Sequence, residues 1–253
     1  MKKLVYIVTI LGLSFSCKKE ATNDNSNNTS SVACIDNPNI NFKSIGTPVG
    51  KFSDCIKDID GNTYKTVTIG SQTWMAENLK TSKYNDGTTI PNSKVNSDWA
   101  KINIGSWCYF KNDSSFNSNY GKLYNGYVII SSMNGNKNVC PIDWHVPSYE
   151  EWIVLIDNLG GSDVAGGKMK AIDQTWGTLN IDANNISLFT GLPGGFRDSI
   201  SRFSGEGSYG YWWSSTNFNF NLTKRINLYG FDGKIHWANS QNTKGFSIRC
   251  LKD

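Results

Sequence analysis

The cysteines and histidines of this 253-residue chain are the side chains best suited to bind a metal or to attack a substrate. No two of the six cysteines are spaced as C-x-x-C, and the two histidines, His145 and His236, are far apart in sequence. A structural zinc site usually gathers four such ligands at short spacings. The spacing therefore predicts no bound metal.

Five cysteines besides the one at position 17 are candidates for disulfides: Cys34, Cys55, Cys108, Cys140 and Cys250. Because the number is odd, at least one thiol stays free or pairs elsewhere. We favour Cys34–Cys55, which would fix the N-terminal segment to the folded domain. We also favour Cys140–Cys250, whose long loop would contribute about 4 to 5 kcal/mol in the chain-entropy description. Cys108 is a rival partner for either pair, so the connectivity stays open.

We find no set of residues that forms a catalytic site. The sequence has no G-x-S-x-G segment, which would place a serine nucleophile on a sharp turn. His145 has neither a nucleophile nor a base near it in sequence, so we interpret it as a packed histidine whose ring bonds a backbone group. Glu150 and Glu151 are adjacent and diverge around a helix. The sequence thus predicts a protein that is not an enzyme.

A glycine pattern raises the question of a nucleotide cofactor. Gly205, Gly207 and Gly210 spell G-x-G-x-x-G, but a dinucleotide loop needs a helix after it. The segment that follows, YWWSST, favours a strand. We therefore interpret the glycines as a flexible loop and predict no cofactor.

Aromatic residues make up 13% of the chain and are the candidates for ligand contact. In the pair Trp212-Trp213, strand alternation predicts one ring facing inward and one facing outward. We take Trp213 as the outward ring. Together with Arg197, Tyr211 and Trp237, which also lie in loop-rich segments, it forms our predicted ligand-binding set.

The N-terminal segment predicts export. Residues 1–16, MKKLVYIVTILGLSFS, combine two lysines with an apolar run too short to span a bilayer, as in a signal peptide. Ser16 directly before Cys17 resembles a lipobox, which predicts cleavage and lipidation of Cys17; an ordinary signal peptide is the alternative. Residues 17–55 begin with a polar stretch that favours a flexible tether. The lipid would make a membrane the first partner.

The folded domain is expected over residues 56–253. Asp60-Gly61 predicts a hairpin turn, with a calcium loop as the minor alternative. Ser148 and Glu151 form a capping box ahead of an apolar stripe, which predicts a helix ending at Gly160-Gly161. A second short helix is expected over residues 162–171, and Asp232-Gly233 marks a further hairpin.

Charge gives no sign of a nucleic-acid partner. The formal net charge is only +4, and no segment clusters lysine and arginine. A nucleic-acid-binding face needs such a cluster.

Nine segments, in chain order, carry a resemblance to a known family: DIDGNTYKTVTIGSQTWMAENLK, NDGTTIPN, WCYFKND, YGKLYNGY, CPIDWHVPSYEEW, AGGKMKA, LPGGFR, GYWWSST and GFSIRCLKD. Over residues 56–253 the chain resembles the Fibrobacter succinogenes major paralogous domain family. Members of that family are typically exported lipoproteins of Bacteroidetes-type bacteria, and their molecular function is largely unassigned. The resemblance implies a lipid-anchored protein of the bacterial cell envelope, with the outer membrane as its expected location.

A more distant resemblance concerns the fold. WHVPSYEEW and GFSIRC look like the helix start and the closing strand of the formylglycine-generating enzyme family. They imply an α+β, C-type-lectin-like fold of mostly antiparallel short strands, one or two helices and long irregular loops, with the first and last strands together. That enzyme's pair of cysteines near the C-terminus does not transfer, since only Cys250 lies there. Residues 237–240 (WANS) and 90–92 (IPN) also depart from the calcium-lectin pattern.

These features together predict a non-catalytic binding module of the cell envelope, with a glycan or a surface protein as its ligand. Two alternatives stay open. One is a purely structural envelope protein, and the other is an enzyme with a site that the sequence does not disclose.

Overall fold

The computed structural model describes residues 47–253. The predicted signal peptide, the lipidated Cys17, Cys34 and most of the tether lie outside these described residues. The strands are β1 (Lys51–Lys57), β2 (Thr63–Ile69), β3 (Gln72–Met75), β4 (Trp107–Cys108), β5 (Leu123–Asn125), β6 (Trp144–His145), β7 (Gly194–Arg197), β8 (Phe203–Glu206), β9 (Tyr209–Asn219), β10 (Leu222–Tyr229), β11 (His236–Gln241), β12 (Gly245–Phe246) and β13 (Leu251–Lys252). The helices are α1 (Asn96–Lys101), α2 (Asn117–Tyr120), α3 (Ser131–Asn134), α4 (Tyr149–Asn158) and α5 (Ser162–Met169).

Three sheets organise these strands. One has the order β1-β2-β3-β13-β6, a second β11-β10-β9, and a third β4-β5-β12-β7-β8. Every pairing described between named strands is antiparallel. The predicted mixed fold of mostly antiparallel short strands and few helices is confirmed at this level. The two longest helices are the two that the sequence predicts.

The last strand lies inside a sheet rather than beside the first strand. β13 pairs with β3 through Leu251 and Trp74, and with β6 through Leu251 and His145. β1 belongs to the same sheet but is separated from β13 by β2 and β3. The two ends of the domain therefore share one sheet without being neighbours, which differs from the expected arrangement.

The first strand begins at Lys51, ahead of the predicted domain start at Ile56. Cys55 is therefore part of β1 and not of a tether. The sequence did not predict β1 because this edge strand pairs only with β2 and its side chains are exposed or half-buried throughout. Such a strand has no buried face to produce apolar alternation.

The turn between β1 and β2 is the predicted hairpin turn. The Asp58 carboxylate accepts hydrogen bonds from the backbone N–H groups of Asp60 (3.0 Å) and Asn62 (2.9 Å). It also accepts one from the Tyr64 hydroxyl at 2.5 Å. An aspartate that bonds backbone groups two and four residues on stabilises a tight turn. This carboxylate therefore holds the hairpin.

Helix α4 starts where the sequence predicts. Ser148 Oγ accepts from the Glu151 N–H at 3.2 Å, and Glu151 Oε2 accepts from the Ser148 N–H at 2.7 Å. The capping box is thus confirmed. The apolar stripe of the helix is buried, and its Trp152 ring lies 4.6 Å from the Trp74 ring of β3. CPIDWHVPSYEEW therefore belongs mainly to the scaffold, since Trp144 and Trp152 are both buried.

One of the two favoured cysteine pairs is confirmed, and Cys108 belongs to neither. Cys140 and Cys250 form the disulfide that we favoured, with their Cα atoms 5.9 Å apart. Cys108 is a buried free cysteine. Burial raises the pKa of its thiol to about 12, which makes it a poor nucleophile. Cys55 is disulfide-bonded, while its predicted partner Cys34 lies outside residues 47–253.

Candidate ligand-binding site

Three of the four predicted ligand-binding residues are buried. Trp213 and Arg197 have no exposed surface, and Tyr211 is only 9% exposed. The prediction that one ring of Trp212-Trp213 faces outward is wrong, because β9 is covered on both sides. Trp212 packs into one hydrophobic cluster and Trp213 into another. Alternation along β9 therefore sends each ring into a different core.

The side chain of Arg197 holds a neighbouring loop in place. Its guanidinium donates to the Ser93 carbonyl at 2.7 Å and to Asn96 Oδ1 at 2.8 Å. The same group lies 4.5 Å from the Trp99 ring and 4.9 Å from the Phe203 ring. An arginine enclosed in this way stabilises the loop and has no face left for a ligand, so its predicted role is corrected to a structural one.

Tyr211 also takes part in the interior. Its ring stacks on Phe246 at 5.2 Å, and the Arg225 guanidinium lies 4.8 Å from it. Burial raises the pKa of Tyr211 to about 12. The predicted role of this residue in ligand contact is therefore corrected as well.

Trp237 is the predicted residue that does reach a surface groove. It lines a groove of about 210 Å³ with Tyr149, Lys224, Ala238 and Asn239. The Trp237 and Tyr149 rings meet edge to face at 4.7 Å, and Lys224 Nζ lies 4.1 Å from the Tyr149 ring. The groove is therefore small, and its aromatic and cationic side chains are in contact with one another.

A second, larger cleft opens elsewhere on the domain, and we call it the aromatic cleft. Its volume is about 450 Å³, within the range of small-ligand sites. Three segments that are distant in sequence form it: the loop after the short 3₁₀ turn Gln174–Trp176, the turn between β8 and β9, and the loop after β10. Its lining residues are Trp176, Gly177, Thr178, Leu179, Glu206, Gly207, Ser208, Tyr209, Gly230 and Phe231.

One side of the aromatic cleft is a group of rings. Phe231 is 52% exposed and stacks on Tyr229 at 4.8 Å. Tyr209 meets Tyr229 edge to face at 5.1 Å and lies 6.3 Å from Phe231. Leu179 is also exposed. Exposed apolar surface held in a fixed position beside polar groups is typical of a binding site.

The polar groups of the aromatic cleft come from two of its segments. Glu206 and Ser208 lie at the β8–β9 turn and Thr178 lies in the loop after Trp176, and all three are exposed. Gly205 and Gly207 have φ values of 81° and 76°, which glycine adopts without strain. The G-x-G-x-x-G segment thus forms the tight connection between β8 and β9, instead of the flexible loop that we predicted.

A buried lysine lies beneath the aromatic cleft and ties its walls together. Lys170 Nζ donates to the carbonyl oxygens of Ile181 (2.6 Å), Tyr229 (3.0 Å) and Asp232 (2.7 Å). Burial lowers the pKa of Lys170 to about 8, although Asp232 and Asp182 oppose that change. The walls approach closely at Gly230, where a Cβ would lie 2.5 Å from the Leu179 carbonyl oxygen.

His145 does not bond a backbone group as expected. Its Nε2 lies 2.9 Å from Glu151 Oε1, and its Nδ1 lies 2.5 Å from Asp253 Oδ1. Burial lowers the pKa of His145, but the hydrogen bonds to the two carboxylates outweigh it, so the pKa is raised. With both ring nitrogens engaged, the imidazole links the start of α4 to the end of β13.

Residues 47–253 contain neither a cluster of potential metal ligands nor a helix that could span a membrane. Within that range no three or more histidine, cysteine, aspartate or glutamate side chains gather as a metal ion would require. Over the same residues, each helix is too short or too polar to cross a bilayer.

Sequence reasoning missed Tyr209, Phe231 and Glu206, which line the aromatic cleft. Two signals were available. The segment GEGSYG places a glutamate and a tyrosine on a glycine-rich turn, and YGFDG places a phenylalanine on another. Aromatic side chains on surface turns indicate a surface that binds another molecule.

The fold and cleft define a class of protein: a mixed, mostly antiparallel domain with an aromatic-lined surface cleft. Residues 67–252 match the family described as the Fibrobacter succinogenes major domain. The match covers well over half of the chain, and the chain belongs to this family. No curated protein and no solved structure matches it.

Proposed function

We propose that the protein is a non-catalytic binding module of the bacterial cell envelope and that the aromatic cleft binds a glycan. The observation that carries this proposal is the combination of an exposed ring (Phe231), a half-buried ring (Tyr209) and hydrogen-bonding side chains in one cleft of about 450 Å³. A sugar ring presents an apolar face and a rim of hydroxyl groups. Tyr209 and Phe231 suit the first, and Glu206, Ser208 and Thr178 suit the second.

The rigidity of the site supports this proposal. The rings are held by one another, and both walls are anchored through Lys170. A preformed site loses less conformational entropy when it binds than a mobile one. This smaller entropy loss matters for a sugar, because each of its contacts is weak.

We further propose that the fold is C-type-lectin-like and that the chain is exported and anchored in the outer membrane through a lipid on Cys17. The short antiparallel strands and the few helices support the first idea, although β1 and β13 are not neighbours in their sheet. The residue pattern around Cys17 supports the second. Mass spectrometry of the membrane fraction would test the anchor, and an unmodified Cys17 would contradict it.

A glycan array with the mature chain, carrying Cys17→Ser so that no lipid is added, tests the binding function. We expect Phe231→Ala to weaken the best hit about tenfold, because losing one buried aromatic contact costs roughly 1.5 kcal/mol. Phe218→Ala is the matched control, since Phe218 is similarly exposed but lies outside the cleft. An array without hits, or equal losses for both variants, would contradict the proposal.

A second candidate function rests on a different observation. Phe218 and Phe220 are 58% and 76% exposed at the connection between β9 and β10. Exposed phenylalanines at the end of a hairpin suit contact with a protein, either a surface partner or another envelope component. Analytical ultracentrifugation of the same chain would reveal self-association, and Phe220→Ser should abolish it.

A further inference from the structure

The charges around the aromatic cleft point to the chemical class of its ligand, and this inference rests on the proposed glycan-binding function. Among the residues that line the cleft, Glu206 is the charged one. Its carboxylate is exposed and lies on the turn that carries Tyr209. The lining offers no lysine or arginine to pair with an acidic ligand.

One buried cation, Lys170, contacts the segments that form the cleft walls but is not available to a ligand. Lys170 has no exposed surface, and its ammonium group has three N–H donors. All three are used by the carbonyl oxygens of Ile181, Tyr229 and Asp232. No donor of Lys170 is left to reach into the cleft.

The environment of Tyr120 is consistent with negative charge on this side of the domain. The pKa of Tyr120 is raised to about 12, first by burial and then by the charges of Glu206 and Asp173. Two further acidic groups, Asp232 and Asp182, lie close to Lys170. Of these two, the Asp232 carboxylate is in contact with His236.

We infer that the aromatic cleft selects glycans without acidic groups, prefers those that carry an amine, and that Glu206 determines this specificity. A hydroxyl or ammonium group of the sugar donates to the carboxylate in a charge-assisted hydrogen bond. A uronic acid or a sulfated sugar places a like charge beside Glu206, with no cation to offset it.

The test probes one array with the Cys17→Ser chain and compares three charge classes of oligosaccharide: neutral, amine-bearing and uronate-bearing. We expect hits among the first two classes and none among uronates. In titration calorimetry, an amine-bearing oligomer should bind about two- to fivefold tighter than its N-acetylated form, as for a partly exposed ion pair.

Glu206→Gln should remove that difference and admit uronates. The neutral hit should weaken by less than the amine-bearing one, because the amide oxygen still accepts a hydrogen bond from a sugar hydroxyl. Glu150→Gln is the control, since Glu150 is an exposed acid on α4 outside the cleft. Uronates among the best hits, or an unchanged ranking in Glu206→Gln, would overturn this inference and leave glycan binding intact. An array without hits in any class would overturn both.

Discussion

The disulfide between Cys140 and Cys250 offers the sharpest test of how the domain is held together. The two residues are 110 positions apart and both are fully buried. In the chain-entropy description, a cross-link over a loop of that length stabilises the folded state by about 5 kcal/mol. Measured values are usually smaller, so we expect the double variant Cys140→Ala/Cys250→Ala to lose about 3 to 5 kcal/mol of unfolding free energy. A single domain has only about 5 to 15 kcal/mol in total.

Urea denaturation followed by tryptophan fluorescence measures this loss. Reductant is unsuitable because Cys55 is also disulfide-bonded and would be released with the others. Cys108→Ala is the matched control, since Cys108 is equally buried but free. It measures the cost of removing a buried sulfur without opening a loop. If the double variant loses no more than twice the cost of this control, the entropic reasoning is wrong.

Three further predictions follow from the structure. Lys170→Met should lower the unfolding free energy by about 3 kcal/mol and abolish binding in the cleft, because three carbonyl groups lose a charged donor. Urea denaturation measures the first effect and calorimetry the second. Lys234→Met, at an exposed lysine, is the control and should change neither. Because the pKa of His145 is raised in the folded state, its contribution to stability is present below about pH 6.5 and is lost as pH rises through the folded pKa. The thermal midpoint of the wild type should therefore fall over that range. In His145→Gln the thermal midpoint should change less with pH. Trp213→Ala should lower the unfolding free energy by about 3 to 5 kcal/mol, since it leaves a cavity at a fully buried site and removes the hydrogen bond to the Tyr124 carbonyl. Trp237→Ala should lower it by less, and equal losses in urea denaturation would contradict the burial of Trp213.

Local signals predicted local structure well. The capping box of Ser148 and Glu151, the apolar stripe of α4 and the turns at Asp60-Gly61 and Asp232-Gly233 all depend on residues a few positions apart. Their physics is contained in the segment itself. The Cys140–Cys250 pairing was favoured for the long loop that it closes and is confirmed, although Cys108 could not be excluded from sequence.

The predicted binding residues failed for a reason that sequence alone does not contain. Alternation along β9 predicts opposite directions for Trp212 and Trp213 correctly, but it does not say whether the second face of the strand is covered. β9 pairs with β10, and its Trp213 N–H also donates to the Ser247 carbonyl at 3.1 Å, from a segment far along the chain. Burial of Trp213 thus depends on long-range contacts.

The aromatic cleft was missed for the same kind of reason. Its walls come from three loops, and neither Phe231 nor Glu206 has a sequence neighbour that indicates the other. Lys170, which holds two of those loops, reads in sequence as an ordinary lysine at the end of a helix. Its three carbonyl partners are scattered over residues 181–232.

Because β13 lies between β3 and β6, this sheet can form in full only after the last residues of the chain have been made. Leu251 pairs with Trp74, a residue made much earlier by the ribosome, so the two parts of that sheet stay unjoined until translation has almost reached residue 252. Contacts between such distant positions form slowly, because the chain must close a long loop before any pairing rewards it. A nascent chain with this topology stays open for longer, which would suit the export that we propose for this protein.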